Sequence, residues 1–311
     1  MRKIFRYLRD YQRKHFDVRL YLTISFFLMI CFIFNYSLDF EDSYIDKLYG
    51  TFWHWLSYLF WMAFPYVGVS LILKAFGKDV KLNRQFWILI VIGFSIQAFD
   101  RSFDGYKELY QSLPGVDKYF LSKCLYWSSS LLTNVIPLML IYVFLFDEHP
   151  RTYYGLAFKS FDPKPYFILL GGAIILIGLG SFFSDLQSYY PRFQHSGGER
   201  FAAAHDLPNW VSILIYEICY GSDFVAVEVF FRGFLIFAFS RALGGYAVLA
   251  MISSYAFLHF GKPLTEAVSS IFGGYILGII SYNTRSVWGG IIIHMGVAWT
   301  MELFGFLHKI L

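Results

Sequence analysis

Residues 20–37 read LYLTISFFLMICFIFNYS, eighteen positions without a single charge. A helix that crosses a bilayer needs about 20 mostly apolar residues, and it satisfies its own backbone N–H and C=O groups where no water can. The stretch therefore reads as a spanning helix. Similar runs recur near 52–73, 86–99, 122–146, 166–184, 210–241, 244–260, 266–282 and 287–308. The run at 86–99 is short, and the one at 210–241 is too long for one straight crossing. Composition agrees with this reading: the 311 residues are 57% apolar, 22% aromatic and only 15% charged. Soluble domains carry roughly 25% charged residues. The expected fold class is an all-α integral membrane protein, a polytopic helical bundle of about 8–9 transmembrane helices.

Loop charges orient such a bundle, because cytoplasmic loops carry the Lys and Arg excess. Residues 1–19 hold Arg2, Lys3, Arg6, Arg9, Arg13, Lys14 and Arg19, which places the N-terminus in the cytoplasm of a multi-pass cell-membrane protein. The next loop has Asp39, Glu41, Asp42 and Asp46 against Lys47 and reads as outside. The following loop, with Lys74, Lys78, Lys81 and Arg84 against Asp79, reads as inside. Loop 147–165, with Arg151, Lys159 and Lys164, keeps the alternation. The apolar run after the basic segment has spanning length and no small-residue cleavage site, so it is not read as a signal peptide. A net charge of +4 without a basic patch of the right kind argues against nucleic acid as a partner. Cys31, Cys124 and Cys219 lie far apart in apolar stretches, with neither zinc nor disulfide spacing.

Two regions differ in character. Residues 1–150 contain spans with few polar interruptions. Residues 151–311 contain tighter turns, more glycine and the ionisable groups within spans. Gly274 and Gly278 form a small-xxx-small pair, which allows helix backbones to approach closely. The segment Arg192 to Pro208 reads as a flexible outer loop.

A charge at the centre of a spanning helix costs about 2.5–3.5 kcal/mol even on the lenient insertion scale, so it is seldom placed there without a partner or a task. Asp223, Glu228, Arg232, His259, His294 and Glu302 occupy such positions. Glu228 and Arg232 stand four apart with the acid first, the favourable order for a pair on one helix face. Glu228, His259 and His294 lie on three spans, separated by about a helix hairpin's length each time. One carboxylate with two imidazoles is a set suited to general acid–base hydrolysis. Two His and one Glu make a divalent metal conceivable, but without HExxH spacing it ranks below direct acid–base work, and no cofactor is expected.

These residues also carry a resemblance. Val227-Glu228-Val229-Phe230-Phe231-Arg232-Gly233-Phe234-Leu235 resembles the Glu-Glu-x-x-x-Arg motif of the CAAX-protease and bacteriocin-processing (CPBP, or ABI) family of intramembrane endopeptidases. Tyr255 to His259 resembles that family's Phe-x-x-x-His motif. His294 to Ala298 resembles its His-x-x-x-Asn/Asp motif. The context Leu277-Gly278 and Ser286-Val287-Trp288-Gly289-Gly290 is similar too. The resemblance implies a helical intramembrane protease, with membrane lipid around it and a membrane-associated peptide or protein as substrate. It implies that Glu228 and His259 activate water while His294 aids the oxyanion, with Arg232 as the motif arginine.

Two positions depart from the pattern. Val227 stands where the first glutamate belongs, and Ala298 where the Asn or Asp belongs. Asp223 lies four residues before Val227 and Glu302 four after Ala298, offsets that keep the same helix face one turn, about 5.4 Å, away. Each is a candidate to supply the missing group, and the Gly221-Ser222 neighbours of Asp223 suggest a local break in the long sixth span. The expected function is an endopeptidase-like protein that hydrolyses peptide bonds with Glu/His-activated water. The alternative is an inactive family member that binds a membrane peptide or protein as an immunity or adaptor protein. A proton-relay transporter ranks last, because the two halves show no repeat symmetry.

Overall fold

The computed structural model describes residues 2–145, 152–157 and 161–310, and every statement of absence below concerns these residues. The expected boundary at 150/151 and the loop cations Arg151 and Lys159 lie outside the described residues.

Fifteen α-helices are described: α1 (Arg2–His15), α2 (Val18–Leu38), α3 (Phe52–Ala75), α4 (Arg84–Ser102), α5 (Gly115–Ser130), α6 (Ile136–Leu145), α7 (Lys164–Gly180) and α8 (Ser184–Tyr189). These are followed by α9 (Gly198–Ala204), α10 (Asn209–Glu228), α11 (Leu235–Phe237), α12 (Ser240–Leu243), α13 (Ala247–Phe257), α14 (Leu264–Thr284) and α15 (Trp288–Ile310). There is no strand among the described residues. Polar caps start α2 and α4. The Asp17 carboxylate accepts the Leu20 N–H at 3.3 Å to begin α2, and the Asn83 amide oxygen accepts the Phe86 N–H at 3.0 Å to begin α4. Such caps satisfy N–H groups that the first turn leaves open.

The all-α polytopic class is what the sequence indicated. By length and composition six helices are fit to cross a membrane, or seven if the pair Asn209–Phe237 and Ser240–Phe257, bent by 45°, is one broken span. The sequence reading of eight or nine treated that pair as two spans and added 166–184, whose helix α7 has 17 residues. The break expected at Gly221-Ser222 is absent, since α10 runs unbroken through both. Gly221 instead makes room for the Trp299 and Met295 side chains. The irregularity lies further on, in the π-helical turn Val229–Phe234.

The chain forms two compact units. The first comprises residues 1–102, 137–161 and 229–287, and the second 103–136, 162–228 and 288–311. In the first unit α13 is wholly buried and packs against α3 and α14. A Cβ on Gly274 would meet the Tyr255 ring at 2.9 Å and one on Gly278 the Met251 methyl at 2.6 Å, so the small pair sets the distance between α13 and α14. The amphipathic α1 docks on the same unit, where the Tyr11 hydroxyl donates to the Gly245 carbonyl at 3.0 Å. In the second unit α10 packs against α5, α9 and α15, and α15 against α7. Here the Cys124 and Cys219 side chains lie beside each other, so helix packing brings together two cysteines that their sequence spacing left apart. The segment read as a flexible outer loop is folded: it holds a 3-10 turn at Arg192–His195 and helix α9.

Between α2 and α3, in the first unit, Glu41 is 4% exposed and accepts the Trp61 indole N–H at 3.3 Å. Burial pushes its carboxyl up to about 7, against the opposing pull of Arg101. An acid that stays protonated in the folded chain while the unfolded chain ionises near 4.5 adds stability that is fully present below that value and lost as pH rises through 7. The shift corresponds to about 3 kcal/mol at most. The melting midpoint in detergent is therefore expected to fall between pH 5 and pH 8, and to fall less in Glu41→Gln. An equal fall in both proteins would rule this out.

Candidate active site

In the second unit the site is built on the seam between α10 and α15. Glu228, the last residue of α10, has no exposed surface. Its carboxylate lies 3.1 Å from Nδ1 of His294, 66 residues later on α15. With Nδ1 protonated and donating to the carboxylate, Nε2 is the acceptor nitrogen of the neutral imidazole. One turn before His294, the Cα of Gly290 faces the Glu228 carboxylate so closely that a Cβ would collide with Oε2. Glycine at 290 lets the carboxylate lie along α15 and reach the imidazole. The Phe224 ring stands 4.5 Å from the His294 ring, centroid to centroid, and fixes its other side. Further along, Trp299 Nε1 donates to the Glu217 carbonyl at 3.1 Å, so the two helices are also tied by a backbone acceptor.

Ala298 is 4% exposed and sits in a cluster with Phe120, Phe193, Tyr216, Tyr220 and Phe224. A polar side chain at that position would be surrounded by aromatic rings, and an unsatisfied buried amide is costly. Glu302 has a structural task. Its carboxylate accepts the backbone N–H groups of Arg192 at 2.6 Å and Phe193 at 3.1 Å, and so anchors the 3-10 turn. Glu217, which the sequence reading overlooked, lies beside Glu302 on the α10–α15 seam. Asp223 is half-buried on the same unbroken helix as Val227, one turn earlier and on the same face.

In the first unit Arg232 has no exposed surface and lies in the π-helical turn Val229–Phe234. Such wide turns are rare and frequent at functional sites. Its guanidinium carbon stands 3.9 Å from the centre of the Tyr255 ring. The same ring meets the edge of His259 at 4.6 Å and of Phe231 at 5.2 Å. His259 is 5% exposed, and its Nδ1 donates to the Tyr255 carbonyl at 2.9 Å. A carbonyl can only accept, so in the neutral ring Nε2 of His259 is the acceptor nitrogen. Tyr255, the replacement for the motif phenylalanine, is thus an aromatic platform for both a cation and an imidazole. Among the described residues no group of three His, Cys, Asp or Glu side chains is gathered as metal ligands, so no step through a metal is derived.

Arg232→Ala would remove a desolvated cation–π contact of about 2 kcal/mol and leave a cavity beside Tyr255. Its yield of folded protein and melting temperature in detergent are expected to drop clearly. Tyr255→Phe, which keeps the ring, is expected to match the parent in both. A mild Arg232→Ala would contradict the packing role.

These features define a polytopic helical membrane protein with a buried carboxylate–imidazole pair on facing helices. Residues 201–300 match the family model described as type II CAAX prenyl endopeptidase Rce1-like. The matched segment, which is similar to CAAX proteases and consistent with the CPBP family, contains Glu228, Arg232, His259 and His294. No curated protein and no solved structure matches the chain.

Proposed function

We propose that this chain is an intramembrane endopeptidase of the CAAX-protease type, with Glu228 and His294 as its acid–base unit. The observation that carries this reading is the part-buried hydrogen bond between the two side chains at 3.1 Å, within the segment that matches the family model. In the reaction, Nε2 of His294 takes a proton from water as the oxygen attacks the peptide carbonyl carbon. Glu228 holds the ring by Nδ1–H and stabilises the imidazolium. The imidazolium then gives that proton to the leaving nitrogen as the C–N bond breaks. This assigns His294 the base's part, where the family resemblance assigned it the oxyanion, because the carboxylate is seen on its Nδ1. Asp223 supplies the second carboxylate in place of Val227, and Arg232 positions Tyr255 and His259.

Cleavage of a membrane-anchored reporter peptide by the purified full-length chain tests the reading. The expected result is slow turnover, strongly reduced by Asp223→Asn. Absence of any cleavage by the parent, with cleavage appearing in Val227→Glu, would favour the second reading, an inactive family member that binds a membrane peptide or protein. The apolar residues at Val227 and Ala298 favour that alternative, since both motif polar groups are missing.

The proposed orientation has the N-terminus in the cytoplasm and the acidic 39–47 loop outside the cell. A cysteine at the exposed position 47 (Lys47→Cys) is then expected to react with an impermeant maleimide on intact cells. Reaction only after permeabilisation would reverse the orientation.

A further inference from the structure

The strongest charged surface outside the candidate site is α1. Of its 14 residues, Arg2, Lys3, Arg6, Arg9, Arg13 and Lys14 are all exposed, and Asp10, beside Arg9, is the helix's acid. Its inner face is held by the buried Ile4, Tyr11 and His15, with the Tyr11 hydroxyl on the Gly245 carbonyl and the His15 ring edge-on to Tyr246 at 4.9 Å. The helix is thus fixed to the protein, and its cations are displayed rather than folded in. Three residues after His15, the spanning helix α2 begins at Val18. Chain connectivity therefore holds the C-terminal end of α1 at the start of a spanning helix, near the membrane surface. Phe5 at 63% and Phe16 at 55% exposure flank the cations, as residues that dip below the headgroups do on interfacial helices. Further cations lie on segments joined to α1. Lys78 bonds Asp17 at 2.7 Å, and the Lys81 backbone donates to the Ala242 carbonyl at 2.8 Å beside the exposed Arg241.

We propose that the exposed face of α1 is a binding surface for anionic phospholipid, taking the headgroup phosphate between its Arg and Lys side chains while Phe5 and Phe16 enter the acyl boundary. A soluble phosphate would meet the same cations but not the aromatic flanks, and so would be held far more weakly. This surface is independent of the proposed peptidase reaction.

The test titrates the full-length chain in detergent with phosphatidylglycerol and with phosphatidylcholine of the same acyl chains, counting bound lipids by native mass spectrometry. The parent is expected to prefer phosphatidylglycerol by about tenfold or more, and added salt should diminish the preference. The quadruple variant Arg2→Gln, Lys3→Gln, Arg6→Gln, Arg9→Gln should lose it, while Lys107→Gln with Lys118→Gln should retain it. All the quadruple substitutions lie on an exposed face, and an unchanged melting temperature would show that the variant is folded. Glycerol 3-phosphate at matching concentration is expected not to displace the lipid. Equal binding of the two lipids by the parent, an unaltered preference in the quadruple variant, or displacement by glycerol 3-phosphate would each overturn the proposal.

Discussion

His294→Ala and Glu228→Gln are each expected to lower reporter cleavage by about 10²–10⁴-fold, the range by which a positioned acid–base group contributes. The two losses should not multiply. Glu228 acts by holding Nδ1 of His294, so once the imidazole is gone the carboxylate has no ring to orient. The double variant is then expected to be about as slow as His294→Ala alone, as in other catalytic units whose parts act together. Single-turnover cleavage of one reporter by the four proteins measures this. Losses that multiply would show that the two groups act separately, and the 3.1 Å contact would then be a packing feature.

Gly290→Ala is expected to have an effect nearly as large without touching a reacting group. A Cβ at 290 would occupy the space of Glu228 Oε2. The α10–α15 seam has little freedom to widen, because Trp299 Nε1 is bonded to the Glu217 carbonyl at 3.1 Å and a Cβ on the neighbouring Gly221 would already meet Trp299 at 2.8 Å. The carboxylate must therefore rotate away from His294. A displacement of about 1 Å in a catalytic group can cost 10²-fold, and a loss of that order in cleavage is expected. Gly273→Ala provides the comparison, since a Cβ there meets nothing within 4 Å. It should leave cleavage and melting temperature near the parent's. A Gly290→Ala protein that cleaves normally would mean that the Glu228–His294 geometry is not what the reaction uses.

Much of the candidate site was legible in the sequence, because a charge inside an apolar span is conspicuous. Glu228, Arg232, His259 and His294 stand out for that reason alone, and three motifs in order gave them a family resemblance. Three other matters were not legible. Tyr255 reads as a mild aromatic exchange, yet its ring carries Arg232 over one face and packs T-shaped against His259. Gly290 reads as one more membrane glycine, and only the carboxylate lying against it gives it a task. Glu302 looked able to replace the missing Asn, but its oxygens are engaged by the Arg192 and Phe193 N–H groups. In each case the deciding neighbour is remote in the chain.

The amino-acid sequence by itself determined that this is a helical membrane protein, because backbone polar groups in lipid leave little choice once a run of about 20 apolar residues is given. It also determined the motif residues and the basic character of the N-terminal segment. Which side chains meet was decided only by the tertiary structure. A soluble helix announces its buried face by an apolar stripe, as α1 does with Ile4, Tyr11 and His15. A spanning helix is apolar all round, since lipid and protein interior are equally oily, and its pattern carries no record of rotation or partner. The pairing of Glu228 with His294 depends on how α10 and α15 are turned toward each other, and close packing at Gly221 and Gly290 sets that rotation.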